Sequence, residues 1–388
     1  MLSTQALFDP RTYANARRSA LEAETLPPEA YTSDAFYGRE VERIFMKEWN
    51  FMGRADHLQQ PGEYAAMDLV GVPLILVRDR QGQLRAFANS CRHRGSQLVE
   101  GEGHCKSFRC PYHSWVYDLD GALLGAPEME RTKAFDRSQY GLVPIKLEMW
   151  GGFVFVNFDP KSRSLADYLG DLPELLESYH LDDLVCVRRQ EFDIACNWKL
   201  FVENAMEEYH ITTVHRATIQ ENTAMDTHGP EPPRGNSAVL YSRHEGTMAL
   251  LKGDTGFPFI ETLRAKPAEG SYFVLVYPST MLGLTKDCVW YLELRPHGPR
   301  RTTLIHGACY PRKTVARPDF GNVVTRYYQR WDKTTAEDIL ASERQQTGLD
   351  SPFSRAGRFS FREILVHEID NWILDRVVGR GAVVEEPR

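Results

Sequence analysis

Two cysteine–histidine pairs stand close together in the chain: Cys91-Arg92-His93 and, after sixteen intervening residues, Cys110-Pro111-Tyr112-His113. The first is Cys-x-His and the second Cys-x-x-His, so two loops at the end of a small antiparallel sheet could grip one metal centre between them. Arg94-Gly95 and Cys110-Pro111 supply the turn chemistry such loops need. Two sulfide-bridged irons fit this donor set if the thiolates take one iron and neutral imidazoles the other. Replacing two thiolates by imidazoles raises the reduction potential, because the cluster carries less negative charge. Structural zinc fits the same four residues, since two cysteines and two histidines are an ordinary zinc set. Ligand identity leaves both open.

A second constellation lies between Asn197 and His215. On a helix, Glu203, Glu207 and His210 fall at i, i+4 and i+7 and share one face. His215 comes five residues after His210, awkward for a regular helix, but the β-branched run Ile211-Thr212-Thr213-Val214 could loosen it. Asp338, in Thr335-Ala336-Glu337-Asp338, is the best candidate to complete a set of two histidines and one carboxylate. That set leaves adjacent positions on Fe(II) open for dioxygen. The competing reading makes Glu207, Glu208 and Asp338 solvated helix charges.

The elements that must hold these residues are legible in outline. Short strands are predicted at 72–77, 84–89, 114–117 and 152–158, with Asp118-Leu119-Asp120-Gly121 as a tight turn. A helix is predicted near 13–23 and another over 39–49, where Val41, Ile44, Phe45 and Trp49 make a helical stripe. Further on, 165–180 reads as a helix broken at Gly170 and Pro173, and 222–235 as a mobile loop. Strands are expected at 272–276, 289–294 and 302–310, and helices at 320–346 and 363–377. The fold class is α+β: a small antiparallel sheet domain around the cluster loops, and a larger domain whose antiparallel sheet is covered by helices. The expected division is an arm over 1–37 belonging to the larger domain, the cluster domain over 38–160 and the catalytic domain over 161–388.

The chain has 388 residues and a formal charge of −7 at pH 7, with no long basic block, which argues against general nucleic-acid binding. Seven cysteines, two of them in the first motif, are too few for a disulfide scaffold. The start of the chain lacks a signal-peptide pattern and no run reaches transmembrane length, so the expectation is a cytoplasmic protein with no membrane span. Gly101-Glu102-Gly103 lacks the rest of a dinucleotide fingerprint and reads as a turn.

The motif from Cys91 to His113, with Tyr112 and Trp115 beside it, resembles the Rieske [2Fe-2S] motif. Followed about a hundred residues later by the His210–His215 constellation, it looks like the catalytic α subunit of Rieske non-heme iron oxygenases, over nearly the whole chain. The resemblance implies that Cys91 and Cys110 hold the outer ferric iron and His93 and His113 the iron nearer the surface. It implies that His210, His215 and Asp338 bind mononuclear Fe(II), with O2 as cosubstrate. Glu207 falls where the family keeps a carboxylate bridging the centres of neighbouring subunits, and Asn204, beside Glu203, would help position it. Glu337 and Glu343 fit the surrounding pattern as structural groups. The family also implies a head-to-tail homotrimer, and electrons from an NAD(P)H-dependent flavin/iron–sulfur reductase or a ferredoxin. Arg92, Arg94, Lys106 and Arg109 crowd the cluster loops and could dock an acidic partner of that kind.

The substrate is expected to be a small molecule held by Met206, the 222–262 region, 273–284 and 292–305. Phe257, Phe259, Phe273 and Tyr277 could pack on a ring or surround a trimethylammonium group. His244, Arg243, Arg264 and Lys266 are possible carboxylate partners. Glu207, where aromatic-ring dioxygenases carry Asp, resembles the betaine and carnitine oxygenases, but Glu-Glu-Tyr-His replaces their Glu-Cys-Tyr-His. On that balance the leading expectation is hydroxylation of a small aromatic compound, such as an aromatic acid, within aromatic compound catabolism. Mono-oxygenation or N-demethylation of a quaternary amine is the alternative. A zinc-stabilised scaffold or pure electron carrier is the second alternative.

Overall fold

The computed structural model describes residues 2–220, 226–232 and 234–380. Two compact units emerge: Phe51–Ser162, and the described parts of Met1–Asn50 with Arg163–Arg388.

The first unit is antiparallel sheet. Strands β1 (Asn50–Arg54), β2 (Glu63–Leu69), β3 (Val72–Arg78), β4 (Leu84–Ala88), β5 (Glu102–His104), β9 (Pro144–Trp150) and β10 (Phe153–Asn157) pair in the order β1-β10-β9-β4-β3-β2-β5. A small sheet of β6 (Phe108–Arg109), β7 (Val116–Tyr117) and β8 (Leu123–Gly125) carries the second metal loop. Ile75, Val77, Phe87, Phe108, Trp115 and Tyr117 form the core beneath both loops.

In the second unit one sheet runs β11 (Leu184–Ile194), β17 (Arg301–Pro311), β16 (Val289–Gly298), β15 (Thr280–Leu284), β14 (Gly270–Val276), β13 (Ser237–Arg243) and β12 (Asp226–Pro230), all antiparallel. A helix of 30 residues, Phe320–Leu349, packs Val324, Tyr327 and Trp331 against Trp290, Ala308 and Tyr310 of the sheet. These positions recur at helical spacing, so burying one stripe fixes which residues face outward from the next turns. The Ile364–Val377 helix is the last helix among the described residues.

Several expectations need correction. No helix forms over 13–23: Asp9 caps a short turn at Pro10–Tyr13, and Arg17 is drawn instead to Asn371 and Asp375 of the last helix. Here tertiary pairing overrides a modest local propensity. The predicted 39–49 helix begins earlier, at Asp34 after the Ser33 cap. It ends in a wide turn with Met46 N–H on the Val41 carbonyl, so Trp49 lies beyond it and donates to the Arg163 carbonyl. β11 escapes a hydrophobic reading because it is an edge strand whose Arg188, Arg189 and Glu191 are partly exposed, as sheet edges tend to be. Of the expected 222–235 loop, 226–230 is strand β12, while 222–225 and 233 lie outside the described residues. No described helix is long and apolar enough to cross a membrane.

Candidate metal centres and substrate cavity

The Trp198–Ala205 helix starts where the Asn197 side chain accepts from the Lys199 backbone N–H at 3.1 Å. Its inner face is held by polar groups: Lys199 Nζ meets Glu40 Oε1 at 2.6 Å with both side chains fully buried, and Tyr31 Oη donates to Glu203 at 3.0 Å. Burial pushes Glu203 well above the usual carboxylate range, and the neighbouring Asp370 carboxylate pushes the same way.

The continuous helix expected through Glu203, Glu207 and His210 is not formed. It stops at Ala205, and Glu207 turns back to accept from the backbone N–H groups of Tyr209 and His210 in the turn that leads to a new short helix at Ile211–Val214. This break solves the awkward spacing of the two histidines. Their rings come to 5.0 Å between centroids, and His210, His215 and Asp338 place one donor atom each within 4.8 Å of one another.

The polar surroundings match a metal-binding set. His210 Nδ1 lies 2.6 Å from Glu207 Oε1 and His215 Nδ1 lies 2.7 Å from Glu337 Oε2, so each Nε2 faces inward. A carboxylate behind each imidazole fixes its tautomer and makes it a better ligand. Asp338 Oδ1 is buried without an aligned hydrogen-bond donor, although His215 Nε2 is only 2.8 Å away. Three donors pointing at one another without bonding one another suit a cation between them. Iron held there by His210, His215 and Asp338 would supply dioxygen activation. Glu337, read as structural from sequence, orients His215 and also accepts from Thr218 Oγ1 at 2.7 Å. Glu343 instead accepts from the Ala195 backbone. Asn204 lines the cavity with a buried, unpartnered Oδ1, and no hydrogen bond to Glu207 joins them among the described residues.

In the other unit, Cys91 and Cys110 are buried while His93 and His113 are partly exposed. Tyr117 Oη lies 3.2 Å from Cys91 Sγ. Burial pushes the Cys110 thiol up, but the backbone N–H groups of Tyr112 and His113 outweigh it and bring the thiol below its ordinary range. The imidazoles of His93 and His113 pack edge to face at 4.6 Å, with His93 stacked on Trp115, and His93 Nδ1 is buried without a partner. Two buried thiolates and two partly exposed imidazoles, one with an orphaned Nδ1, fit the donor set of a two-iron, two-sulfide cluster. Such a cluster supplies electrons one at a time. Arg92, Arg94, Lys106 and Arg109 are all exposed beside it.

A cavity of about 110 Å³ opens beside the triad. Its walls include Phe273, Trp290, Met248 and Met281, together with Glu208 and Arg330. Gly283 sits opposite Trp290 in the sheet, and a Cβ there would collide with the indole, so the glycine lets the ring lie flat across β15. Of the four aromatics expected around the substrate, Phe273 alone lines the cavity. Phe257 packs in the core against Tyr327, Phe259 is exposed, and Tyr277 stacks on Trp372. The expected carboxylate partners also lie elsewhere: His244 Nε2 is 2.8 Å from Ser271 Oγ, Arg243 pairs with Glu269, Lys266 pairs with Glu231, and Arg264 is exposed. Arg330 was missed, because one arginine in a charged helix carries no signal of burial.

Residues 181–379 match the ring hydroxylating alpha subunit (catalytic domain) model, and residues 48–136 match the Rieske [2Fe-2S] domain. The choline monooxygenase of Atriplex hortensis is 30% identical over 94% of this chain and 80% of its own length. The oxygenase subunit of the glycine betaine monooxygenase of Chromohalobacter salexigens is 28% identical over 98% and 93%. The crystal structure of a quaternary ammonium Rieske monooxygenase with L-carnitine is 25% identical, covers 91% of this chain and 96% of its own, and superposes with a TM-score of 0.76. These similarities overturn the expectation of an aromatic substrate and of aromatic compound catabolism. Glu207 is a better guide to the substrate class than the cysteine missing from Glu-Glu-Tyr-His. With the catalytic model spanning half of its length and a Rieske domain preceding it, the chain belongs to the ring-hydroxylating alpha-subunit family and is a Rieske non-heme iron oxygenase.

Proposed function

We propose that the chain is the oxygenase component of a mono-oxygenase acting on quaternary ammonium compounds. The observation that carries this reading is similarity over 91% or more of the chain to oxygenases of choline, glycine betaine and carnitine. One atom of O2 enters a C–H bond beside the cationic nitrogen and the other leaves as water, with two electrons and two protons consumed. The cavity supports the reading: a trimethylammonium group against the Trp290 or Phe273 face gains about 0.5–2 kcal/mol from the ring quadrupole, and the methionines fit an irregular apolar surface.

In this reading Cys91 and Cys110 hold one iron of the cluster and His93 and His113 the other, while His210, His215 and Asp338 hold the mononuclear iron. Glu207 keeps the proton on His210 Nδ1 and couples that ligand to the neighbouring subunit's cluster in a homotrimer. Asn204 presents its amide to the cavity. Electrons arrive from a separate NAD(P)H-linked reductase or ferredoxin. The test is a single-turnover reaction of dithionite-reduced, iron-loaded protein with O2 and a pool of choline, glycine betaine, carnitine and γ-butyrobetaine, read by mass spectrometry. Oxygenated amine, formaldehyde or released trimethylamine is expected. A protein with both centres loaded that leaves every quaternary amine intact would overturn the reading.

A further inference from the structure

Arg330 is a buried charge in the cavity wall. It lies on the long helix eight residues before Asp338, about 12 Å along the axis, and is only 6% exposed. Nη1 donates to Thr334 Oγ1 at 2.9 Å and Nε is buried without an acceptor. Among the described residues no carboxylate pairs with it. Of the carboxylates around the cavity, Asp338 belongs to the triad, Glu207 to His210 and Glu337 to His215 and Thr218, while Glu208 lies in the same wall. Burial pushes the guanidinium down to about 10, so it stays cationic at neutral pH. His306 shares the cavity and is neutral there, since burial, and next the charge of Arg330, push it down to about 3. Its Nδ1 is 3.2 Å from Thr335 Oγ1, while Nε2 is buried without a partner.

A buried cation without a counter-ion is costly, and so are polar atoms left unpaired beside it. A ligand carboxylate would relieve both, because the guanidinium fork offers paired donors to its two oxygens. The guanidinium itself stands over the Trp290 ring, 5.7 Å from its centre, and Phe273 in the same cavity wall offers a further aromatic face for an ammonium group. We propose that Arg330 binds the carboxylate of the substrate, so that the enzyme prefers zwitterions bearing both a trimethylammonium and a carboxylate group over choline. This rests on the quaternary-amine reading. Choline would bring a second positive charge close to a guanidinium that no carboxylate pairs with directly, in a poorly screened cavity.

Isothermal titration of the holoprotein with γ-butyrobetaine, glycine betaine, choline and the all-carbon isostere of γ-butyrobetaine, in which tert-butyl replaces trimethylammonium, tests this directly. Wild type should bind the better of the two zwitterions at least about 30-fold more tightly than choline. Arg330→Met should abolish that preference while leaving choline unchanged or improved, and Arg330→Lys should restore part of it. Cluster absorbance and a thermal melt report folding, and the lysine variant carries the test if the methionine variant melts early. Equal weakening of all ligands, or none, in the Arg330 variants would overturn the proposal while leaving the amine reading standing. Isostere binding as tight as γ-butyrobetaine, lost in Arg330→Met, would keep the carboxylate site and remove the ammonium group from the reading. No binding of any probe to wild type would overturn both.

Discussion

The two candidate metal centres are built by opposite strategies. Cys91, His93, Cys110 and His113 come from two short loops on small strands, and the groups behind them are apolar and aromatic: Trp115, Tyr117, Phe108 and Leu98. The His210 centre joins a broken helix to a long helix more than a hundred residues away, and the groups behind its ligands are carboxylates, Glu207 and Glu337. A cluster that exchanges electrons needs a rigid, partly desolvated cradle with N–H groups aimed at sulfur. An iron that must keep positions open needs ligands held in one tautomer while its cavity admits a substrate. The difference teaches that the first centre depends on packing and the second on a proton and charge network.

The comparison breaks most sharply if one centre cannot survive without the other. His210→Ala should lower turnover at least about a thousandfold while the visible spectrum of the cluster and its two irons persist, as metal analysis would show. Loss of the cluster colour in that variant would mean that the centres are not independent. Glu337→Gln and Glu207→Gln should each cost about 10- to 100-fold in activity or iron affinity. They should differ in kind: Glu337→Gln should chiefly weaken iron retention, while Glu207→Gln should retain iron and slow reoxidation of the reduced cluster, followed by stopped-flow absorbance. Identical behaviour of the two variants would erase the distinction between a carboxylate that orients and one that also couples.

The same contrast explains what was legible in the chain. Cys91 to His113 is a local motif, and turn residues around it announce the loops. The triad was readable as residue types, but its geometry was not. Glu207 looks like a helix-surface charge until the helix stops at Ala205 and its carboxylate folds onto the backbone N–H groups of Tyr209 and His210. Glu337 and Arg330 belong to a helix whose orientation is decided by Val324, Tyr327 and Trp331 packing on the sheet, and no spacing rule reveals which of its charges will face the cavity. Strands β14, β16 and β17 were visible from their apolar residues, whereas β11 was hidden by the charges appropriate to an edge.

A smaller effect concerns the exposed rim of the cluster unit. Lys106 and Arg109 are exposed beside the buried Cys110 and Phe108. Reversing both charges should slow reduction by an acidic donor about tenfold at low salt, and the difference should fade as ionic strength shortens the screening length. The reductase-driven rate of cluster reduction, measured across a salt series, checks this. An unchanged rate at low salt would assign these residues to the loops alone.

The smallest predicted effect is on stability, and it belongs to the carboxylate-backed unit. Asp370 is buried with both oxygens lacking an aligned donor, near Glu203, whose carboxylate receives the Tyr31 hydroxyl. Burial pushes the Asp370 carboxyl up from 3.8 to about 7, despite the opposing pull of Lys199. The folded chain therefore holds a proton that the unfolded chain has already released between about pH 4 and pH 7, so this group's stabilisation is full at the acid end and lost as pH rises through 7. The shift corresponds to on the order of 2–4 kcal/mol shared with Glu203, or several degrees of melting temperature. Asp370→Asn should accordingly raise the melting temperature at pH 8 by several degrees, by progressively less as pH falls, and change it little near pH 4. The temperature at which the cluster bleaches should show no matching rise, because its cradle rests on aromatic packing; a parallel rise would mean that the buried carboxylates support both centres.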